Sequence, residues 1–356
     1  MSTLSQFPLF KLPWLAIKGV LSNMEFGTLL YLSFSSKHIY RFIQSLRINV
    51  AVFKISYSKI GTLVQFSFAK WYGIGEWSFR ETEIPAERKN QALTIFVGGL
   101  ELKSLVKFNR FITYTNGELG KSVEPGIKYL TQLFICPLPR IYIRLDGMKK
   151  PILPSIVGCG DYCEDILIRG EEEIENEELH MILDNYTFKE DITFAIPFKE
   201  DFTSDIRLWK HPKKIYIHRS AHWVTSEMLF GVKCSYMAFG GCKQLKAIDC
   251  RLFVDRWMNS NDLNFHFLEL FWKSDYPEEL NYDYFGGLEL EEFDPKSRSF
   301  AYCQCEGWAI NVSMGRDFKR KDGLLATITL IDNCFIFCVW HERFPNLEGR
   351  KVFNNV

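Results

Sequence analysis

The sequence predicts an α+β fold, with three short N-terminal helices, then an irregular α/β region and small antiparallel sheets. Apolar residues recur with a helical period of about 3.6 up to residue 47, and from Val50 they alternate with a period of 2. Short strand-like runs then recur between helical stripes in the middle third. We predict four ranges: 7–47 is helical, 48–110 is a β-hairpin layer, 111–285 is an α/β repeat-like region, and 286–356 is an antiparallel β end.

The N-terminal apolar residues have the spacing of short amphipathic helices. The stripe of the first helix lies at i, i+3, i+4 and i+7: Ile17, Val20, Leu21 and Met24. Pro13 suits its first turn, where the missing N–H costs no hydrogen bond. Thr28 is the predicted N-cap of a second helix, and a third helix is predicted from about Lys37 to Ile43. The stretch is too short to fold alone, so we expect it to act as a docking element.

Residues 7–47 resemble an F-box. The likeness is carried by Leu12-Pro13, by Val20 and Met24, by Leu29 and by the closing Ser35-Ser36-Lys37. An F-box implies binding to the adaptor subunit of an SCF-type ubiquitin ligase, and through that subunit to a cullin. The residues that the resemblance assigns to adaptor binding are Leu12, Pro13, Ile17, Val20, Leu21 and Leu29.

Two positions depart from the F-box pattern. Leu15 stands where the motif usually has an acidic residue, and Ser35 stands where it prefers Val. These departures keep a second hypothesis open, in which the chain is a protein-interaction module of the same fold that works without the ligase.

The segment after the helices alternates as β-strands do. Phe53, Ile55 and Tyr57 precede a turn at Ser58–Gly61, and a second alternating run follows, so a hairpin is predicted. Further strands are predicted at 77–80 and 94–97, with the charged stretch 81–90 as an exposed loop and a helix around 126–133.

The middle third shows a recurring strand-and-helix unit. The predicted strands are Ile141–Leu145, Asp165–Arg169, Asp191–Ile196, Lys214–His218 and Leu245–Asp249. A helical stripe from Ile174 to Leu183 lies between two of them. One strand and one helix per 20–30 residues is typical of a leucine-rich-repeat-like stack. The strict repeat consensus is missing, so a compact α/β domain remains the alternative.

The C-terminal part resembles the nematode type of F-box-associated domain (type 2) over about residues 210–340. The motifs that carry this likeness include Leu268-Glu269-Leu270, Phe293-Asp294-Pro295 and the run from Asp317 to Gly323. The resemblance implies that this region holds a protein substrate of the ligase.

The residues near the C-terminus independently indicate a folded β end. Asp322-Gly323 predicts a hairpin with a type I′ turn, and Asp332-Asn333 predicts a second tight turn. The wholly apolar run Cys334–Trp340 predicts a strand buried on both faces.

Composition narrows the function classes. Lys plus Arg and Asp plus Glu number 43 each, and no basic face of a nucleic-acid binder is evident. No apolar run approaches the roughly 18 residues that span a bilayer, and no signal peptide is apparent. We therefore predict no nucleic-acid or membrane partner and a location in the cytoplasm or nucleus.

Catalytic and metal motifs are also lacking. The ten cysteines contain no CxxC pair, and His211, His218 and His222 match no zinc spacing. No GxSxG, HExxH or phosphate-binding glycine motif is present. We expect a non-catalytic adaptor without cofactor or metal. A third hypothesis, an enzyme with an unrecognised active site, would require a deep pocket with convergent polar groups.

Overall fold

The computed structural model describes residues 12–68, 74–115, 117, 119–147, 162–209, 212–274, 276–305 and 307–353. The start of the predicted F-box, residues 7–11, lies outside these residues, as does His211. Contacts divide the chain into two compact units, Met1–Ile166 and Leu167–Val356, which are described separately.

Unit 1 places a group of helices against a mixed sheet. Its described helices are α1 (Trp14–Ser22), α2 (Phe26–Ser35), α3 (Lys37–Ser45) and α4 (Leu119–Leu133), with a 3₁₀ turn at Ala86–Gln91. Its described strands are β1 (Val50–Ser58), β2 (Gly61–Phe68), β3 (Ile74–Arg80), β4 (Leu93–Val97), β5 (Leu100–Lys107), β6 (Arg110–Tyr114), β7 (Arg140–Arg144) and β8 (Tyr162–Cys163). The main sheet has the order β7-β1-β2-β3-β6-β5-β4, in which β1 with β7 and β3 with β6 are the parallel pairs. The next strand, β9 (Asp165–Arg169), contains the boundary between the units.

Aromatic packing attaches the helices to this sheet. The Phe26 ring of α2 lies 5.6 Å from that of Phe66 and 6.0 Å from that of Phe68. Phe34, further along the same helix, contacts Trp77, with ring centroids 5.9 Å apart. The alternating residues of β1 and β2 point their apolar side toward these rings, which is why the period of 2 predicted the hairpin correctly.

Unit 2 combines parallel strands with an antiparallel end. Its described helices are α5 (Asn176–Asn185), α6 (Ser226–Gly231) and α7 (Ala247–Met258), with 3₁₀ turns at Ile206–Leu208 and Tyr282–Phe285. Its strands are β10 (Thr187–Phe188), β11 (Asp191–Ala195), β12 (Lys214–Ile217), β13 (Tyr236–Gly240), β14 (Phe267–Phe271), β15 (Glu291–Glu292), β16 (Ala301–Cys305), β17 (Trp308–Asn311), β18 (Arg316–Lys319), β19 (Leu325–Ile331), β20 (Cys334–Val339) and β21 (Lys351–Phe353). β11 to β14 are parallel, and β20, β19, β18 and β15 continue from β14 as antiparallel strands. β16, β17 and β21 form a separate small sheet.

The predicted fold class is wrong. The sequence predicted an irregular leucine-rich-repeat-like region with small antiparallel sheets. Instead, sixteen of the described strands take part in extensive mixed-sheet pairing, and there are few helices besides the N-terminal three. The predicted strands from Ile141 to His218 exist, but a sequence period does not say which strands pair. In these strands buried residues alternate with partly exposed ones. This alternation marks each strand locally but leaves its place in a large sheet undetermined.

The prediction of a strand at Leu245–Asp249 is wrong, because α7 begins there. The Asp249 carboxylate accepts the backbone N–H of Lys246 at 2.8 Å and caps the helix start. Ala247, Cys250, Val254 and Trp257 are buried at helical spacing. The short apolar run was compatible with either structure, and the carboxylate was the available signal for a helix.

The two predicted C-terminal hairpins are present, with one difference in turn type. Asp332, at φ 47°, and Asn333 join β19 to β20 in a tight turn. Between β18 and β19, Gly323 has φ 84°, whereas Asp322 does not have the positive φ that a type I′ turn requires. β20 is buried along its whole length, as predicted.

A buried ion pair connects the loops of unit 2 to its sheet. The Arg298 side chain is fully buried, and its Nε donates to both carboxylate oxygens of Asp317 at 2.8 Å. The guanidinium also donates to the carbonyl of Val312 at 3.1 Å, and Thr327 donates its hydroxyl to Asp317 at 2.6 Å. Each charge therefore has several partners, as a buried pair needs if it is not to destabilise the fold.

None of the helices in the described ranges is both long enough and apolar enough to cross a bilayer.

We predict that Gly27→Ala destabilises unit 1, whereas Gly19→Ala does not. A Cβ at Gly27 in α2 would overlap the backbone carbonyl oxygen of Phe108, whereas a Cβ at Gly19 in α1 meets nothing within 4 Å. Overpacking should cost about 1–3 kcal/mol at Gly27. At Gly19 the alanine should raise the free energy of unfolding by about 0.5–1 kcal/mol, because glycine in a helix loses more backbone entropy on folding than alanine does. Denaturant unfolding measures both, and equal effects would contradict this packing of α2.

A second prediction concerns the buried ion pair. Arg298→Ala should lower the free energy of unfolding by about 3–5 kcal/mol, because Asp317 would stay buried without its countercharge. Arg316→Ala is the control. Arg316 pairs with the exposed Glu292 at 2.6 Å, and its loss should lower the free energy of unfolding far less than the loss of Arg298, because solvent screens an exposed pair. Chemical denaturation should also show partial recovery in the Arg298→Met, Asp317→Leu double variant, and no recovery would show that the charges themselves are needed.

Candidate functional site

The first helix has one buried side and one exposed side. Ile17 and Leu21 point into the core of unit 1 and are 5% and 0% exposed. At 100° per residue, the opposite side of α1 carries Leu15, Gly19 and Asn23. A helix of nine residues is marginal in water by itself, so its packed side is what holds α1 in place.

Hydrogen bonds fix the neighbouring helices. The Tyr129 hydroxyl of α4 donates to Ser33 Oγ of α2 at 2.8 Å, and Ser33 donates in turn to the Leu30 carbonyl at 2.6 Å. Burial raises the pKa of Tyr129 well above its ordinary value, so the phenol stays protonated and able to donate. Gln44 of α3 donates to the carbonyl of Gln132 in α4 at 2.8 Å. These bonds make α2 and α3 part of unit 1.

Apolar residues on the outer side and N-terminal end of α1 form a surface that we call the α1 face. Its members are Leu12, Pro13, Leu15, Ala16, Gly19 and Val20. Leu15 is 79% exposed and Val20 is 38% exposed, while Leu12 is half-buried. Lys18 is the one charged residue within α1, so the face is nearly uncharged. Exposed apolar side chains grouped in this way are typical of a protein-binding surface.

The structure divides the six residues that the F-box resemblance assigned to adaptor binding. Pro13 and Val20 are exposed and Leu12 is half-buried, so these three lie where a partner could touch them. Ile17, Leu21 and Leu29 are buried inside unit 1. In this conformation the buried three can influence a partner by holding α1 and α2 in position.

Sequence reasoning did not select Leu15, the most exposed large apolar residue of the helix. Its position was available as a signal, because it lies about 160° from the predicted stripe residue Ile17 around the helix. In the motif Leu15 is a departure from the usual acidic residue, whereas in the folded chain it is part of an apolar surface.

Unit 2 carries a second candidate surface on one side of its parallel strands. Strand register places Lys214 beside Tyr236 and places Ala238 beside Glu269, all on the same side of the sheet. Glu269 accepts Gln304 Nε2 at 3.2 Å, and burial raises the pKa of its carboxyl. On this side Ala238 and Phe267 are buried, whereas Lys214 and Tyr236 are partly exposed. The part that another protein could contact is therefore the end with Lys214 and Tyr236.

Metal chemistry finds no support within the described ranges, where no group of three His, Cys, Asp or Glu side chains is placed to hold an ion. His218 ends up beside Tyr216, with ring centroids 6.1 Å apart. The His218 ring thus stacks on an aromatic side chain.

The comparisons with known proteins identify a distant relative. No protein-family model matches the sequence, and no solved structure matches the chain. An uncharacterized protein of Caenorhabditis elegans is 23% identical over 367 aligned positions, which cover 96% of this chain and 79% of the relative. The three N-terminal helices fit an F-box-like arrangement, but no family model supports that assignment. The chain is thus similar along nearly all its length to a nematode protein.

Proposed function

We propose that this chain is the substrate receptor of an SCF-type cullin ubiquitin ligase and a nematode F-box protein with a C-terminal F-box-associated domain. The observation that carries the proposal is the α1 face, an uncharged apolar surface on the first of three helices in an F-box-like arrangement. The adaptor subunit of the ligase is the partner, and it links the chain to a cullin. An unidentified protein substrate binds unit 2.

Burial of the α1 face would supply the binding free energy. Pro13 and Val20 are exposed, and covering apolar area contributes about 25 cal/mol for each Å² removed from water. Because α2 is already packed on the sheet and α3 on α2 and α4, little further ordering accompanies binding. A pre-formed helical edge of this kind suits a permanent subunit contact.

The chain itself would carry out no bond chemistry in this role. Holding a substrate beside the ligase's transfer machinery raises the effective concentration of the substrate's lysines. The proposal therefore requires two binding surfaces and no catalytic residue, cofactor or metal.

Leu15 supports a second candidate function, a ligase-independent interaction module. An F-box usually has an acidic residue at this position, and here a leucine that is 79% exposed adds apolar surface. In this alternative the α1 face binds another partner, and Leu15 becomes one of its main contacts.

One pair of variants separates the two candidates. Val20→Asp should reduce adaptor affinity at least tenfold, because it puts a charge into the contact. Leu15→Glu should leave adaptor affinity unchanged or raise it, because it restores the usual residue of the motif. Calorimetry with the purified adaptor subunit gives Kd for each variant.

Met181→Asp is the matched control, because Met181 is a 47% exposed apolar residue on α5 of unit 2. Its Kd should equal that of the unchanged chain. Circular dichroism confirms that every variant is folded. Deleting residues 1–47 is not an adequate test, because it removes α2 from the core of unit 1. Absence of adaptor binding by the unchanged chain would reject the receptor function and favour the alternative.

A further inference from the structure

Unit 2 contains a polar pocket whose residues come from distant parts of the chain. This pocket, which we call the histidine pocket, has a volume of about 380 Å³ and is lined by Lys214, Tyr236, His266, His341, Glu342 and Arg350, among others. Lys214 begins β12 and Tyr236 begins β13, while His266 precedes β14 and His341 follows β20. Sheet pairing brings these segments together, so the pocket exists only in the folded unit.

The rings in the pocket hold one another in place. His266 stacks on Tyr236, with centroids 4.9 Å apart and planes at 14°. His341 also packs on His266, with ring centroids 4.1 Å apart. The ammonium of Lys214 is 5.5 Å from the Tyr236 ring. A ligand would therefore meet an organised set of nitrogen groups.

The hydrogen bond of His341 fixes its protonated nitrogen. Nε2 lies 2.8 Å from the carbonyl oxygen of Phe265, which can only accept, so Nε2 carries the hydrogen. In the neutral ring Nδ1 is then an acceptor. The His266 ring also lines the pocket and carries an N–H in every protonation state, so it can donate to a ligand there.

The pocket disfavours a further positive charge. Burial lowers the pKa of His266 to about 4, and the charges of His341 and Lys214 act in the same direction. Asp262 opposes them, and the other ionisable groups that line the pocket are Tyr236, Tyr302, Cys303, Glu342 and Arg350. Lys214 also has a carboxylate of Asp191 at 3.5 Å, and Arg350 Nε donates to the Asn346 carbonyl at 3.0 Å. An oxyanion beside His266 would oppose the effects of His341 and Lys214 and would favour the protonated ring.

We infer that the histidine pocket binds an oxyanion, a carboxylate or a phosphate, carried on a side chain of the protein partner. Lys214 and Arg350 would supply positive charge, and the His266 ring would donate its N–H to an anionic oxygen. The aromatic face of Tyr236 would pack on the carbon atoms next to that group. That the ligand belongs to a protein rests on the proposed function. That the ligand is an oxyanion is inferred from the pocket alone.

The test follows the histidine rings of the full-length chain by NMR, with ¹³C-labelled histidine and capped amino acids as probes. Capped phosphoserine and capped glutamate represent the two oxyanions, and capped glutamine is the neutral control. Binding of an oxyanion should raise the pKa of His266 from about 4 by at least one unit toward its ordinary value of 6.5. One unit corresponds to a tenfold preference of the oxyanion for the protonated ring. Phosphoserine keeps a negative charge below its second pKa of about 6, so its affinity should increase as the pH falls from there toward about 4, where glutamate loses its own charge.

Neighbouring lysines provide a matched pair of variants. Lys214→Met should weaken oxyanion binding about tenfold, because it removes a charged contact. Lys213→Met removes the same charge from the preceding residue, which pairs with Glu190 at 2.6 Å and does not line the pocket. The oxyanion affinity of the Lys213→Met variant should stay within twofold of that of the unchanged chain.

The outcomes separate the possibilities. A response to phosphoserine alone indicates a phosphorylated partner, a response to glutamate alone indicates an acidic one, and a response to both indicates a general oxyanion site. An equal response to glutamine, no response to any probe, or equal effects of the two lysine variants would overturn the inference. Adaptor affinity measured on the same samples tests the proposed function separately, because every residue of the pocket lies in unit 2 and α1 lies in unit 1.

Discussion

The position of Phe26 is the constraint on which unit 1 depends. Its ring occupies the space above Gly75, where an added Cβ would lie 2.5 Å from Phe26 Cγ, and it continues the row of phenylalanine rings on β2. α2 can approach the sheet this closely because Gly27 next to it also lacks a Cβ. With α2 in this position, α1 buries Ile17 and Leu21, and the side that carries Leu15 faces outward. The surface proposed for the adaptor is thus a consequence of core packing.

In unit 2 the corresponding role belongs to a buried network of hydrogen bonds around Asp317. Asp317 accepts hydrogen bonds from Arg298 and Thr327, and Thr327 Oγ1 accepts the indole N–H of Trp340 at 2.7 Å. This chain of contacts joins β18, β19, the end of β20 and the loop before β16 through groups that tolerate few other arrangements. Tyr302 of β16 then donates its hydroxyl toward the carbonyl of His266, 2.9 Å away. The wall of the histidine pocket is therefore held by the same antiparallel end that contains the ion pair.

Local pattern predicted local structure well. The hairpin at Phe53, the buried strand from Cys334 and the existence of three N-terminal helices follow from the period of apolar residues, which depends only on neighbours along the chain. The predicted N-cap Thr28 is wrong, because α2 begins at Phe26 with Glu25 as its N-cap. Strand order depends on pairing between distant segments, and nothing in the apolar run at Ile141 indicates that its partner is β1. The histidine pocket was missed for the same reason, because Lys214 and His341 are neighbours only after β12, β13, β14 and β20 have paired. For the first helix, the period of apolar residues correctly predicted an apolar stripe. The period could not show whether the stripe faces a partner or the core.

The two proposed surfaces differ in their physical chemistry, and this difference bears on how a receptor would work. Contacts on the α1 face are apolar, so their strength changes little with ionic strength or with protonation. Contacts in the histidine pocket are between charges, so salt screens them and the protonation of His266 modulates them. A phosphate carries more charge than a carboxylate and would gain more from Lys214 and Arg350. A receptor with these two surfaces would bind the ligase with nearly constant affinity. Its affinity for a substrate would depend on the charge of that substrate.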